Sequence, residues 1–162
     1  MLRQTNKFLL TNLKLTVFLW VFFFSTSLTN ANQLQNAVVV DPISGIAIGG
    51  YDPVSYFTKE EPELGFPEYE YIWFGVSWIF TSEANRDIFA LNPQTYAPIF
   101  GGHGTMSLSR GYLSDGNPHI FKILGGRLFL FYSSANKDAF MLAQKTSYIK
   151  AQKNWDFFTA QE

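Results

Sequence analysis

Two aromatic and β-branched runs, each broken by glycine, constrain the fold of this chain more than any other feature. The first covers residues 69–80 around Gly75, and the second covers 120–132 around Gly125 and Gly126. Runs of this composition that meet at a glycine turn are typical of β-hairpins. Segments with helical spacing follow each of them. The sequence therefore predicts an α+β fold, in which two antiparallel β-hairpins form a small sheet packed with short α-helices in a single domain.

The helix after the first hairpin has the clearest boundaries. Ser82 is a favourable N-cap for a helix over 83–91, and Asn92-Pro93 ends it. Ala84, Ile88 and Leu91 share one face of that helix, which we expect to point inward. Earlier in the chain, Asp52 stands directly before Pro53, a pairing typical of a helix N-cap followed by proline at the first helical position.

The N-terminal residues have the three-part layout of a secretory signal. Basic Arg3, Lys7 and Lys14 precede an apolar run over 15–24, and small and polar residues lead up to Ala31. We expect cleavage near Ala31 and export of the protein, to the periplasm or beyond the cell. The alternative is an uncleaved membrane anchor, although its apolar stretch is shorter than the roughly 20 residues that span a bilayer. The predicted divisions are a signal peptide over 1–31, a leader over 32–45 and a domain over 46–158.

Composition excludes several classes of function. The chain has 162 residues, which indicates one domain, and 47% of them are hydrophobic, which argues against disorder. The formal net charge is -1 and no basic run is present, so a nucleic-acid partner is not expected. The absence of cysteine excludes disulfides, thiolate metal sites and cysteine nucleophiles. Membrane contact is expected only through the export signal or an uncleaved anchor.

Five short motifs follow one another in a fixed order along the domain. They are 51–57 (YDPVSYF), 78–82 (WIFTS), 85–89 (NRDIF), 92–98 (NPQTYAP) and 101–111 (GGHGTMSLSRG). With the second hairpin and the closing Asn154-Trp155, this set resembles the YHS-domain family, and most of all its exported, stand-alone bacterial branch.

The resemblance implies a metal-binding or thiol-based ancestry that this chain has lost. Relatives attached to metal transporters carry cysteine where this chain has Ser55, and another near Thr81. The exported branch often carries cysteine or selenocysteine where this chain has His103-Gly104. The resemblance therefore implies a YHS-like domain with a degenerate, cysteine-free site in which thiol or selenol chemistry cannot operate.

The glycine-rich segment suggests a place for a small ligand. Glycines let a ligand approach backbone N–H groups, and tyrosines supply apolar walls with polar tips. The expected ligand-binding pocket has Gly101, Gly102 and His103 as its floor and Tyr51, Tyr56 and Tyr112 as its walls.

A transition metal such as copper or zinc is a second expectation for this segment. His103 and Met106 are three residues apart, and both are suitable ligands for a soft metal. Two ligands are too few for a complete site, so the plainer interpretation is a loop histidine and a core methionine. The other imidazole, His119, follows Asn117-Pro118 and is expected to be an exposed turn residue.

Three functions remain open at this point. The first is a non-enzymatic exported binding module for a small ligand or a metal. The second is a hydrolytic or redox enzyme with His103 as its general base, which requires a partner acid or nucleophile within hydrogen-bond reach. The third is a structural or interaction protein whose ancestral site has decayed. No nucleophile elbow or phosphate-binding loop is present to favour the enzyme.

Overall fold

Both predicted hairpins form, and each turns at the glycine that the sequence indicates. The computed structural model describes residues 37–160. Strand β1 (Phe66–Trp73) pairs antiparallel with β2 (Val76–Phe80), and β3 (Asn117–Leu124) with β4 (Arg127–Phe131). The central residues of both turns, Phe74-Gly75 and Gly125-Gly126, have positive φ. Two such residues make the tight turn whose twist matches that of antiparallel strands.

Strand pairing stays within each hairpin. The described residues contain two separate two-stranded sheets, where we expected the hairpins to share one. Register shifts between Phe66 and Glu70 and between Asn117 and Phe121 interrupt the ladders, and such irregularities bend and twist a strand locally. The two ribbons therefore meet through side chains rather than through backbone hydrogen bonds.

Six helices in the described residues complete the α+β architecture. In chain order they are α1 (Ser55–Thr58), α2 (Glu83–Leu91), α3 (Pro93–Tyr96), α4 (Thr105–Ser109), α5 (Ser134–Leu142) and α6 (Gln144–Ala160). Ser82 and Ser133 cap α2 and α5, since each hydroxyl accepts a hydrogen bond from a backbone N–H of the first turn. Short 3-10 turns at Ile48–Gly50 and Ile99–Gly102 lie where the sequence is rich in glycine.

Strand β4 separates two hydrophobic clusters. Its Leu128 and Leu130 pack with the first hairpin and α2, whereas Phe129 and Phe131 pack with α4, α5 and α6. All four side chains are buried, so β4 has no solvent-exposed face. A strand that is covered on both faces has a continuous apolar sequence, as this one does.

The buried face of α2 differs from the one that the apolar spacing predicts. Phe89 is fully buried, whereas Ala84 and Ile88 are exposed and Leu91 is 79% exposed. Asn85 shares the inward face with Phe89, because its amide donates a hydrogen bond to buried Asp52. Because one residue of the inner face is polar, the spacing of apolar residues does not identify that face as the buried one.

Part of the predicted leader is packed against the domain. Val38 is buried in the first cluster, and Val40 forms an antiparallel bridge with Ala47. The described residues all fall within one compact unit. The predicted signal peptide over 1–31 lies outside the described residues. Within the described part of the chain, no helix combines the length and apolarity needed to cross a bilayer.

Candidate functional site

The two glycines of the predicted pocket floor adjoin the chain's own N-terminal segment. Gly101 has a φ of +60°, and a Cβ placed there would overlap the carbonyl of Ala37. Val39 N–H donates to Gly101 O at 2.8 Å. A Cβ at Gly102 would lie 2.9 Å from Ile48 Cγ2. The close approach that we assigned to a ligand is thus made by the protein's own chain.

His103 and Met106, the predicted metal ligands, lie beside the second cluster. The His103 side chain is only 8% exposed, and its ring packs beside Trp155 with 5.7 Å between centroids. Met106 is partly buried, and its sulfur accepts a hydrogen bond from Ser109 Oγ at 3.2 Å. No group of three His, Cys, Asp or Glu side chains within 37–160 could hold a metal ion.

The predicted tyrosine walls do not form one group. Tyr51 OH lies 2.8 Å from His119 Nε2, and Tyr56 OH donates to Pro118 O at 3.0 Å, so both tyrosines meet the start of β3. Burial raises the pKa of the Tyr56 phenol, and the negative charge of nearby Asp52 adds to that effect. Tyr112 is half exposed beyond α4. Of the three walls, the structure brings Tyr51 and Tyr56 together at His119.

Backbone hydrogen bonds join the glycine segment to the residues just before β3, where the tyrosine group lies, and one of them runs from Gly104 N–H to Ser114 O at 2.8 Å. Gly116 N–H donates to Gly102 O at 3.0 Å, directly before β3 begins. A Cβ at Gly116 would overlap that same carbonyl oxygen, so only glycine fits here. The two halves of the predicted site are therefore neighbours through β3, with protein atoms packed between them.

Asp52 is the centre of a buried polar network. Its side chain is fully buried. One carboxylate oxygen accepts from Val54 N–H at 2.8 Å, the bond expected of a cap, but the helix begins at Ser55 with Val54, not the predicted Asp52, as its N-cap. The other oxygen accepts from Thr81 N–H at 2.9 Å, from Thr81 Oγ1 at 2.8 Å and from Asn85 Nδ2 at 2.6 Å. This carboxylate therefore ties the turn before α1 to the junction of β2 and α2.

An open groove of about 740 Å³ lies beside this network. Its lining residues come from two stretches, one from the end of α1 to the start of β1 and one from the β2–α2 junction into α2: Thr58, Lys59, Glu63, Leu64, Phe66, Thr81, Ser82 and Asn85. Residues 59–68 are rich in charge, proline and glycine, a composition typical of a surface loop that does not by itself indicate a site. The available signal was the pair of apolar residues, Leu64 and Phe66, within that charged loop.

Both walls of the groove are hydrogen-bonded to buried Asp52. Thr81 and Asn85 on one wall are bound to Asp52. On the other wall, Asp52 N–H donates to Glu63 O at 2.8 Å, and Glu63 N–H donates to Ser55 Oγ at 3.1 Å. A site whose walls share one buried anchor is organised before a ligand arrives, which lowers the entropic cost of binding.

Of the two carboxylate oxygens of Glu63 in the groove, only one has a hydrogen-bond partner among the described residues. Lys59 Nζ donates to Glu63 Oε1 at 2.9 Å, and the lysine side chain is 56% exposed. Glu63 Oε2 is buried and has no hydrogen-bond partner among the described residues. Two apolar side chains, Leu64 and Phe66, are more than half exposed beside this carboxylate. The groove thus combines a half-satisfied carboxylate with apolar surface.

No protein-family model, no curated protein and no solved structure matches this chain. The resemblance to the YHS-domain family accordingly rests on the ordered sequence motifs alone.

Proposed function

We propose that this chain is an exported, non-enzymatic binding domain of YHS type that holds a small organic ligand in the groove beside Asp52. The observation that carries the proposal is the anchoring of both groove walls by buried Asp52, whose carboxylate holds Thr81 and Asn85 and whose backbone N–H holds Glu63. Because both walls are held in place before a ligand arrives, binding would cost less ordering entropy. A metal or redox cofactor is not required by this function.

The size and lining of the groove suit a small molecule. Its volume of about 740 Å³ lies within the roughly 300–1,000 Å³ that small-molecule sites occupy. Leu64 and Phe66 offer apolar contacts, while Lys59, Glu63 and Asn85 offer the few polar contacts that orient a ligand. This mixture is what binding sites for amphipathic organic molecules contain.

The enzyme alternative depends on His103, and the position of that residue favours binding over catalysis. A general base must reach the proton that it removes. The His103 side chain is 8% exposed and packs beside Trp155, so a substrate has little access to it. A general base at that position therefore has weaker support than a ligand in the open groove.

Removing the apolar wall of the groove should weaken ligand binding. In the double variant Leu64→Ser/Phe66→Ser, we expect affinity for small aromatic amines and amidines to fall at least about tenfold, because two partly buried apolar side chains together contribute about 2 kcal/mol. Chemical-shift changes in ¹⁵N-labelled protein measure both the affinity and the location of binding.

The matched control is Leu142→Ser, which removes an apolar side chain that is 90% exposed on α5, away from the groove lining. It should leave the affinity unchanged. If shifts caused by small aromatic probes, charged or neutral, cluster away from Thr81, Ser82 and Asn85, or if none of these probes binds, the proposed function is wrong.

The export part of the proposal has its own test. Cleavage after Ala31 would make Asn32 the first residue of the mature protein. N-terminal sequencing of protein recovered from the native cell envelope or medium should therefore begin at Asn32 or within a few residues of it. Recovery of the full-length chain in the membrane fraction would instead support the uncleaved anchor.

A further inference from the structure

The carboxylate of Glu63 is held in place but only half satisfied. Its backbone is fixed on both sides, since Glu63 N–H donates to Ser55 Oγ and Glu63 O accepts from Asp52 N–H. Oε1 accepts from Lys59 Nζ, whereas buried Oε2 has no partner among the described residues. A buried acceptor without a donor is costly, so a group that donates to both oxygens gains what the lysine leaves unused.

The ion pair that Lys59 forms with Glu63 is one that a ligand could replace. Its ammonium contacts a single oxygen, and its side chain is 56% exposed. Ion pairs this exposed contribute little net stability, so the lysine can leave at small cost. A planar guanidinium or amidinium group presents two parallel N–H donors, which match the two oxygens of a carboxylate.

The charges around the groove favour a cation over an anion. The hydrogen bond from Lys59 to Glu63 raises the pKa of the lysine, and the negative charges of Glu63, Glu61 and Asp52 raise it further. On the facing helix, Arg86 pairs with Glu83 and Asp87 of its own helix. Three carboxylates therefore act on one lysine, and the surplus negative charge suits a positively charged ligand.

We propose, on the basis of the proposed function, that the groove binds an organic amidinium or guanidinium cation, whose planar head displaces Lys59 and bridges both oxygens of Glu63. The remainder of the ligand is apolar, aryl or alkyl, and lies on Leu64 and Phe66, which are 60% and 52% exposed. Asn85 and Ser82 of the opposite wall supply further acceptors for the N–H groups that point away from Glu63.

Three probes of similar size test the charge and shape of the head group. Benzamidine carries a planar amidinium, benzylamine a single ammonium, and benzyl alcohol no charge. Each is titrated into the full chain while shifts of the groove residues are followed. We expect benzamidine to bind tightest, by about tenfold over benzylamine, because only its head donates to both carboxylate oxygens.

Two variants separate this proposal from general electrostatic attraction. Glu63→Gln should weaken benzamidine at least about tenfold and leave benzyl alcohol unchanged, since the amide offers only one acceptor. Lys59→Met should strengthen benzamidine several-fold because it removes the competing ammonium. The matched control is Glu68→Gln, which removes a charge from an exposed residue outside the groove lining and should change affinity less than about twofold.

The possible results distinguish failure of the cation site from failure of the proposed binding function. Weaker benzamidine binding in Lys59→Met, or tighter binding of benzoate, titrated alongside as an anion of similar size, would overturn the proposed cation site. Binding of benzyl alcohol in the groove without any advantage for benzamidine would overturn this inference and leave the binding function intact. Failure of every probe to shift the groove residues would overturn both. Thermal unfolding of Glu63→Gln and Lys59→Met, each compared with wild type, shows whether a change in affinity reflects the site or the fold.

Discussion

Replacing Asp52 with asparagine is expected to lower the free energy of unfolding by about 3 kcal/mol. The two carboxylate oxygens accept four hydrogen bonds, from Val54 N–H, from Thr81 N–H and Oγ1, and from Asn85 Nδ2. An asparagine keeps one acceptor and turns an amide donor toward the other donors. At least one buried polar group then loses its partner, in a site from which water is excluded.

This substitution distinguishes a buried network from a simple helix cap. Asparagine and aspartate are about equally good N-caps, so a residue that only capped would tolerate the change. Urea unfolding of both proteins measures the difference. The control is Asp87→Asn, whose carboxylate is exposed and paired with Arg86, and which should cost less than about 0.5 kcal/mol. If Asp52→Asn and wild type are equally stable, Asp52 acts only as a local cap and its bonds to Thr81 and Asn85 contribute no net stability.

The second large effect is expected at Phe89, whose truncation to alanine should cost about 3 to 5 kcal/mol. The ring is fully buried at the centre of an aromatic cluster. Its centroid lies between 5.1 and 6.2 Å from those of four other rings: Tyr71, Trp73, Trp78 and Phe80. Removing it leaves a cavity that these large, mutually packed side chains cannot easily fill.

Leu91→Ala on the same helix is the matched comparison. Leu91 is 79% exposed, so its truncation should cost less than about 0.5 kcal/mol. Thermal or urea unfolding of the two variants shows which face of α2 contributes more to the free energy of unfolding. A larger loss for Leu91→Ala than for Phe89→Ala would mean that α2 buries the face that the apolar spacing predicts, and that its orientation in the structure is wrong.

The candidate site was the least predictable part of this protein. Gly101 and Gly102 were predicted to let a ligand approach, and the sequence does not reveal that Ala37 and Ile48 are the groups that lie against them. The groove was missed because its two walls are separated along the chain, at Thr58–Phe66 and at Thr81–Asn85. Neither segment has a motif that indicates binding by itself.

Asp52 shows where local reasoning succeeds and where it ends. Its bond to Val54 N–H spans two residues, and the Asp-Pro pair predicted it. Its bonds to Thr81 and Asn85 span 29 and 33 residues, and no local sequence pattern predicts them. The predicted face of α2 failed for the same reason, since Asn85 points inward only because Asp52 is there to accept its hydrogen bond.

The sequence by itself determined the two hairpins, their glycine turns, the Ser82 cap and the α+β class. These features depend on backbone geometry and side-chain chemistry within a few neighbouring residues, which the order of amino acids specifies directly. The tertiary structure decided that the hairpins remain separate sheets, that β4 is buried on both faces, and that a groove opens beside Asp52. Each of these depends on contacts between distant segments, whose free energies exist only once the whole chain has packed.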